Sequence, residues 1–311
     1  VLADLGLPGA ARAVRAPSAR NEVWILDDMV LRVAPAHSGR LRYEAAVAAT
    51  LPPEVGYPEI LDAGEAAFGE WLLVRRAPGV PLGEAWGRMG DADRREAVTQ
   101  LAARLALIHA TPAPHLEPPF ARDPLGCPHP VDPPGRLVGL VARARALPHV
   151  DPTVIDGARA LVERAASALD GPPPTRLVHG DLHLENVVWD GNRITAIVDF
   201  EFARAGPPDL DLDILLRFCA EPGLHAADSY HREVAAADFR TVPAWLRQDY
   251  PELFAHPRLG ERLTLYALAY DLRQLLLDPP SGPPATLPPH HPYHRVRRIV
   301  EGRRPHGAVD L

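Results

Sequence analysis

Between Leu177 and Glu201 the chain reads LVHGDLHLENVVWDGNRITAIVDFE, and three of its polar residues, Asp181, Asn186 and Asp199, are spaced by two short apolar runs. The runs are Val187 to Trp189 and Ile194 to Val198, with Asp190-Gly191-Asn192 between them as a hairpin signal. A loop carrying Asp181 and Asn186 is therefore followed by a hairpin that brings Asp199 back beside it. Two carboxylates and one amide oxygen converging on one spot suit a hard divalent cation and a hydroxyl that needs a base. Asp199 follows three apolar residues, Ala196, Ile197 and Val198. A carboxylate is costly to bury there unless paired, which favours a functional place for it.

The totals set the frame for that site. At 311 residues, 47% hydrophobic and 23% charged, the chain has the length and composition of a large globular domain or two lobes. A formal net charge of -7 argues against a nucleic-acid partner and weakly favours a cationic or metal-bridged ligand. The two cysteines, Cys127 and Cys219, are far apart, so no disulfide framework is expected and a reducing, cytoplasmic setting fits. Neither a signal segment nor a bilayer-spanning apolar run is read, so no membrane partner is expected. The oligomeric state is not legible. No lysine occurs anywhere; all basic side chains other than histidine are arginine.

Elements that could position the site follow in order. Residues 1–17 carry a weak helical pattern. Strand-like runs at 22–26 and 29–33 flank Asp27-Asp28, a tight turn. From Ser38, a candidate N-cap, a helix is expected with Leu41, Ala45, Ala48 and Ala49 on one face. Runs at 60–63 and 71–75 are two more strands, and Ala77-Pro78-Gly79 breaks the last sharply. Beyond it, helices are expected at 91–110, 137–147, 152–169, 209–219, 227–239, 259–277 and 293–301, with proline-rich loops at 111–135 and 278–292. The fold class is α+β and bilobal: a small antiparallel-sheet lobe with one inserted helix (1–78), then a mostly helical lobe (79–311) carrying the loop and hairpin.

His179-Gly180-Asp181-Leu182-His183-Leu184-Glu185-Asn186 resembles the H-G-D-x-x-x-x-N motif of the aminoglycoside phosphotransferase family, and Ile197-Val198-Asp199-Phe200-Glu201 resembles its metal-binding Asp motif. The order of elements is similar as well. The resemblance implies a protein-kinase-like fold and transfer of the γ-phosphoryl of ATP or GTP to a small-molecule hydroxyl, with Mg²⁺. It implies Asp181 as catalytic base, Asn186 and Asp199 as Mg²⁺ ligands, and His179 and Asp211 as supports of the loop. His183 and Glu185 are candidates for contact with substrate.

In the first lobe, kinase-type enzymes pair a strand Lys with a helix Glu. Here Arg32 and Glu44 take those places, a departure in which a forked cation replaces a point charge. The glycine-rich phosphate loop is replaced by Ser18-Ala19-Arg20-Asn21, where the Ser18 hydroxyl and backbone amides would meet phosphate. Residues 75–79 resemble the linker between lobes, so Arg75 and Ala77 are candidates for the nucleotide base edge. A cationic aminoglycoside would want an acidic pocket, which Glu201, Asp209, Asp213, Glu221 and Asp228 could supply. A sugar, an amino alcohol such as choline, and a nucleoside-type compound remain alternatives, as does a nucleotide-binding regulator without turnover. His290, His291 and His294 lack acidic or Cys partners at ligand spacing, so a proline-rich surface segment is the better account of them.

Overall fold

Strand alternation in the first 75 residues builds one antiparallel sheet. The structure, a computed structural model, describes residues 1–306 apart from 3, 8–11, 17, 19–20, 35–37, 122, 124, 128, 130–133, 228 and 304. Strands β1 (Val14–Ala16), β2 (Glu22–Ile25), β3 (Met29–Ala34), β4 (Ile60–Ala66) and β5 (Gly69–Arg75) lie in the order β1-β2-β3-β5-β4. Successive side chains of β3 point to opposite faces. Leu31 and Val33 join Leu26 and Leu73 on one side. Ala34 packs with Leu41 and Leu72 on the other, where helix α1 (Arg40–Ala48) lies. Arg32 shares the α1 side by the same alternation.

Helix α1 differs in detail from its sequence pattern. Its buried residues are Leu41, Tyr43, Glu44 and Val47, while Ala49 is exposed. Ser38 does not cap it; Gly39 holds the N-cap position in the left-handed region at φ 72°. The cap comes from Glu70 of β5, which is buried and accepts from the Ser38 hydroxyl at 2.7 Å and the Arg40 amide at 3.0 Å. A carboxylate at a helix N-terminus satisfies otherwise orphaned N–H groups and complements the helix dipole. Tyr43 and Val47 reach the larger core, and the Tyr43 hydroxyl donates to the Ala203 carbonyl at 2.8 Å.

The helical portion comprises α2 (Leu82–Trp86), α3 (Asp91–Ala110), α4 (Pro134–Arg145), α5 (Pro152–Ala165), α6 (Asp209–Ala220), α7 (His231–Ala236), α8 (Val242–Asp249), α9 (Leu259–Leu277) and α10 (Pro292–Val300). The expected α3 face of Leu101, Leu105 and Ile108 is buried. Two expectations need correction. The weak helix in 1–17 gives way to β1, a three-residue strand too short for alternation to reveal. The helix expected at 227–239 shrinks to α7, because Asp238 accepts from the Arg240 amide in a tight turn and Phe239 folds in against Trp86 and Phe218.

The central stretch forms the expected hairpin of β8 (Val187–Trp189) and β9 (Ile194–Ile197), with β6 (Val80–Pro81) added from the linker side. Preceding and following it, β7 (Leu177–Val178) and β10 (Arg204–Ala205) pair antiparallel. Among the described residues no helix is long and apolar enough to cross a membrane. Glu70→Ala is expected to cost about 2 kcal/mol by removing a buried charged cap. Urea unfolding reads that loss, and an unchanged midpoint would remove Glu70 from the role.

Candidate active site

The loop after β7 is held from below by one carboxylate. Asp211, in the first turn of α6, accepts from the His179 amide at 2.8 Å and the Gly180 amide at 2.7 Å. His109, at the end of α3, meets the same carboxylate at 3.0 Å and the Tyr250 hydroxyl at 3.1 Å. Burial alone would raise the Asp211 carboxyl, but His109 and the loop amides hold it below the usual range. Gly180 sits at φ 81°, and a Cβ there would stand 2.2 Å from the Phe202 carbonyl oxygen, so the turn admits only glycine. His179 ties the loop to the hairpin: Nε2 donates to the Val198 carbonyl at 2.9 Å, and Nδ1 accepts from the Asp181 amide at 3.3 Å.

Asn186 is bonded both to the loop and to the strand end that leads into Asp199. The Asn186 side-chain NH₂ donates to the Asp181 carbonyl at 2.9 Å, which leaves Oδ1 as the acceptor of that amide. The Val198 amide donates to the Asn186 carbonyl at 2.9 Å and keeps loop and strand end together. Asp199 then adopts a left-handed conformation, φ 69°, ending the strand and turning its side chain toward the loop region; aspartate tolerates this better than most residues.

Arg32 connects this place to the sheet. Its NH1 lies 2.6 Å from both oxygens of Glu44, and its NH2 lies 2.6 Å from Asp199 Oδ1. Glu44 also accepts from the Tyr57 hydroxyl at 3.0 Å and the Phe200 amide at 3.2 Å. One guanidinium thus serves two carboxylates in different settings. Burial pushes the enclosed Glu44 carboxyl up against the pull of Arg32. Burial raises the Asp199 carboxyl, whose side chain is 35% exposed, but Arg32 together with His179 and His183 holds it below the usual range. Arg32 stays charged: burial opposes it, and the two carboxylates prevail.

The donor set fits a hard cation. Mg²⁺ is usually held by one or two protein oxygens and otherwise by phosphate and water, and Asn186 Oδ1 with the Asp199 carboxylate supplies that pair. Among the described residues there is no group of three or more His, Cys, Asp or Glu side chains able to hold a metal ion. His291 caps α10, its Nδ1 accepting from the Tyr293 amide at 3.1 Å.

The remaining candidates divide. Ser18 is exposed, Ala19 and Arg20 lie outside the described residues, and Asn21 donates to the buried Glu201 at 3.4 Å. Arg75 is committed to the sheet edge, with its side chain on Glu59 at 2.7 Å and its amide on the Glu59 carbonyl at 2.8 Å; Ala77 lies two residues further along the linker. His183 lies parallel to Phe218, with ring centroids 6.1 Å apart, and burial lowers its pKa. Glu185 accepts from the Tyr230 hydroxyl at 2.6 Å, while its other oxygen packs on Gly83, where a Cβ would be 1.9 Å away.

Two proposed substrate contacts are corrected. Asp209 is buried against Arg262 at 3.0 Å, and Asp213 is buried between His129 and His306, each at 2.8 Å. Glu221 pairs with Arg298 at 3.0 Å, and Asp228 lies outside the described residues. Sequence reasoning missed Tyr57, His109, Gly83 and Tyr230. Each reaches the site from a separate element, and no local spacing announces it.

The sequence matches the pattern of the phosphotransferase enzyme family (APH) over residues 13–248. It is 28% identical over 138 residues to a homoserine kinase of Methylobacterium radiotolerans, a match spanning 44% of this chain and 41% of that protein's length. Among solved structures, the GDP complex of aminoglycoside 2'-phosphotransferase-IIIa superposes with a TM-score of 0.60 at 17% identity, covering 93% of this chain and 91% of that one. A thermostable mutant of aminoglycoside phosphotransferase APH(4)-Ia, with ADP and hygromycin B, gives 0.61 at 20% identity over 95% and 94%. At such identities the likeness shows the fold, the α+β kinase-like arrangement of a small antiparallel sheet and a helical portion.

Glu185 makes a pH prediction. Burial, with Glu84 adding to it, pushes its carboxyl from the ordinary 4.5 to about 7 despite the Tyr230 hydrogen bond. Between those values the folded chain holds a proton that the unfolded chain has lost, so this group's contribution to stability falls as pH rises through the window. Glu185→Gln removes that dependence. Relative to the parent, the variant is expected to gain about 1–2 kcal/mol on going from about pH 5 to about pH 8 in chelated buffer. Denaturant titrations that give the same difference at both pH values would count against the buried, raised carboxyl.

Proposed function

The chain belongs to the phosphotransferase enzyme family, and from that premise we propose that it is a small-molecule kinase, transferring the γ-phosphoryl of ATP or GTP to a hydroxyl. The observation that carries this reading is the Arg32 guanidinium, 2.6 Å from both Glu44 and Asp199, which ties the sheet to the end of β9, itself bonded to Asn186 through the Val198 amide. Asp181 is the residue to orient the acceptor hydroxyl and take its proton as the new O–P bond forms. The bond from the γ-phosphorus to the bridging oxygen breaks, and its electron pair leaves with the nucleoside diphosphate. Asn186 and Asp199 would hold Mg²⁺, which when bound supplies positive charge to the triphosphate. Arg32 offers a phosphate-binding cation where kinases use lysine, and Ser18 stands on the turn that would cover the phosphates. Relatives with GDP and with ADP are known, which supports a nucleotide donor and leaves both bases open.

The acceptor is a small hydroxylated molecule; the matched homoserine kinase and the hygromycin B and kanamycin complexes of similar folds mark the range to test. A cytoplasmic enzyme and antibiotic resistance both fit this reading. The second reading, a nucleotide-binding regulator without turnover, draws on one observation: Arg32 occupies Asp199, the proposed metal ligand.

Two variants test the assignment. Asp181→Asn is expected to lower acceptor-dependent turnover by about 10²–10⁴-fold while nucleotide binding persists. Wild-type binding of nucleotide with no Asp181-dependent turnover across an acceptor panel would favour the regulator. Asp199→Ala is expected to abolish the Mg²⁺ dependence of nucleotide affinity in calorimetry, with little change in unfolding midpoint. Retained Mg²⁺ dependence would remove Asp199 from the metal site.

A further inference from the structure

A polycationic acceptor needs free carboxylates, and the acids best placed by sequence to supply them are engaged within the fold. Glu201 accepts from Asn21, Asp209 is paired with Arg262, Asp213 lies between two histidines, and Glu221 holds Arg298.

Around the catalytic loop on the side of α6, α9 and α10 the charge has the opposite sign. Arg217 of α6 and Arg295 of α10 converge on Asp271 of α9, at 3.0 and 2.7 Å. Two guanidiniums on one carboxylate leave the trio with net positive charge. The Arg217 guanidinium lies 4.1 Å from the centroid of the Tyr270 ring, and its Nε is a buried donor with no hydrogen-bond partner among the described residues. From this trio the wall continues to the loop itself. His225 lies with its ring 5.0 Å from His183 and 5.7 Å from Phe218, the neighbour of Arg217 in α6. Burial first, then His183, Arg217 and Arg295, hold His225 well below the ordinary histidine range. Tyr270, partly exposed beside Arg217, lies within the field of Asp181. Phe218, whose ring faces both His183 on the loop and His225, joins the Arg217 end of this wall to the loop, and the buried Asp213 also acts on Arg217. A field of this sign in a water-poor wall disfavours a ligand with several ammonium groups and attracts an anion.

We propose that the acceptor is a small hydroxylated molecule bearing a carboxylate or similar anionic group, with its hydroxyl at Asp181 and its anion toward Arg217 and Arg295. This rests on the kinase reading given above.

The test uses matched acceptors with the wild-type chain: 4-hydroxybutyrate, L-serine and L-homoserine, each against its primary amide, and kanamycin as the polycation. The acids are expected to exceed their amides by about 10- to 100-fold in kcat/KM, the scale of a charge-assisted hydrogen bond lost from a site built for it. Arg295→Gln is expected to bring that ratio to within about threefold, with KM for nucleotide unchanged. Equal use of acid and amide, preference for kanamycin, or a ratio that survives in folded Arg295→Gln overturns the proposal. Turnover of none of them, with Asp181-dependent hydrolysis of nucleotide intact, overturns the acceptor class alone. Loss of both overturns the kinase reading on which it rests.

Discussion

One buried cation holds the two halves of the site in register. Arg32 reaches from β3 to Glu44 on α1 and to Asp199 at the end of β9, and neither carboxylate has another cation at hydrogen-bond distance among the described residues. Removing Arg32 or Glu44 would leave a charge without its partner in a poorly solvated place, which is far more costly than losing a surface ion pair, whereas loss of the partly exposed Asp199 leaves Arg32 paired with Glu44. Much of the surrounding structure serves this contact. Strand alternation aims Arg32 at α1, Glu70 anchors the N-terminus of that helix, and Tyr57 and the Phe200 amide fix the Glu44 carboxylate. A forked guanidinium can hold two carboxylates at once where an ammonium would serve them as a single point. In a chain without lysine, this geometry departs from the kinase pattern in bonding as well as in residue type.

The loop that bears Asp181 depends on a second, independent anchor. Asp211 takes two loop amides and His109, so α6 and α3 jointly set the position from which Asp181 projects. Close backbone approach at Gly180 and the left-handed Asp199 then place the two carboxylates on neighbouring segments. Left-handed backbone at a non-glycine residue costs on the order of 1 kcal/mol, and such strain gathers where a side chain must be aimed.

The three aspartates at the start of α6 show how a helix separates residues that look alike in sequence. Asp209, Asp211 and Asp213 are two positions apart, about 200° around a helix at each step, which turns Asp211 away from the other two and leaves Asp209 and Asp213 on one face a turn apart. They accordingly meet three different sets of partners: Arg262 with Tyr266, the loop amides with His109, and His129 with His306. Only the middle one touches the loop. An acidic run therefore becomes three buried structural contacts.

The local grammar of the chain determined a good deal by itself. Apolar alternation and the Asp190-Gly191-Asn192 turn are properties of contiguous residues, so the hairpin was legible before folding was considered. Arg32 and Glu44 were legible as partners through the resemblance to the strand-cation and helix-Glu pair of kinases, and the ion pair is present. Tertiary structure alone decided what lies across long separations. It brought Glu70 to α1 in place of Ser38, Arg32 to Asp199, Tyr230 and Gly83 to Glu185, and Arg217 with Arg295 to one carboxylate. Periodicity tells which face of an element is buried. It does not tell which other element will cover that face, and the partners of every buried charge depend on that choice.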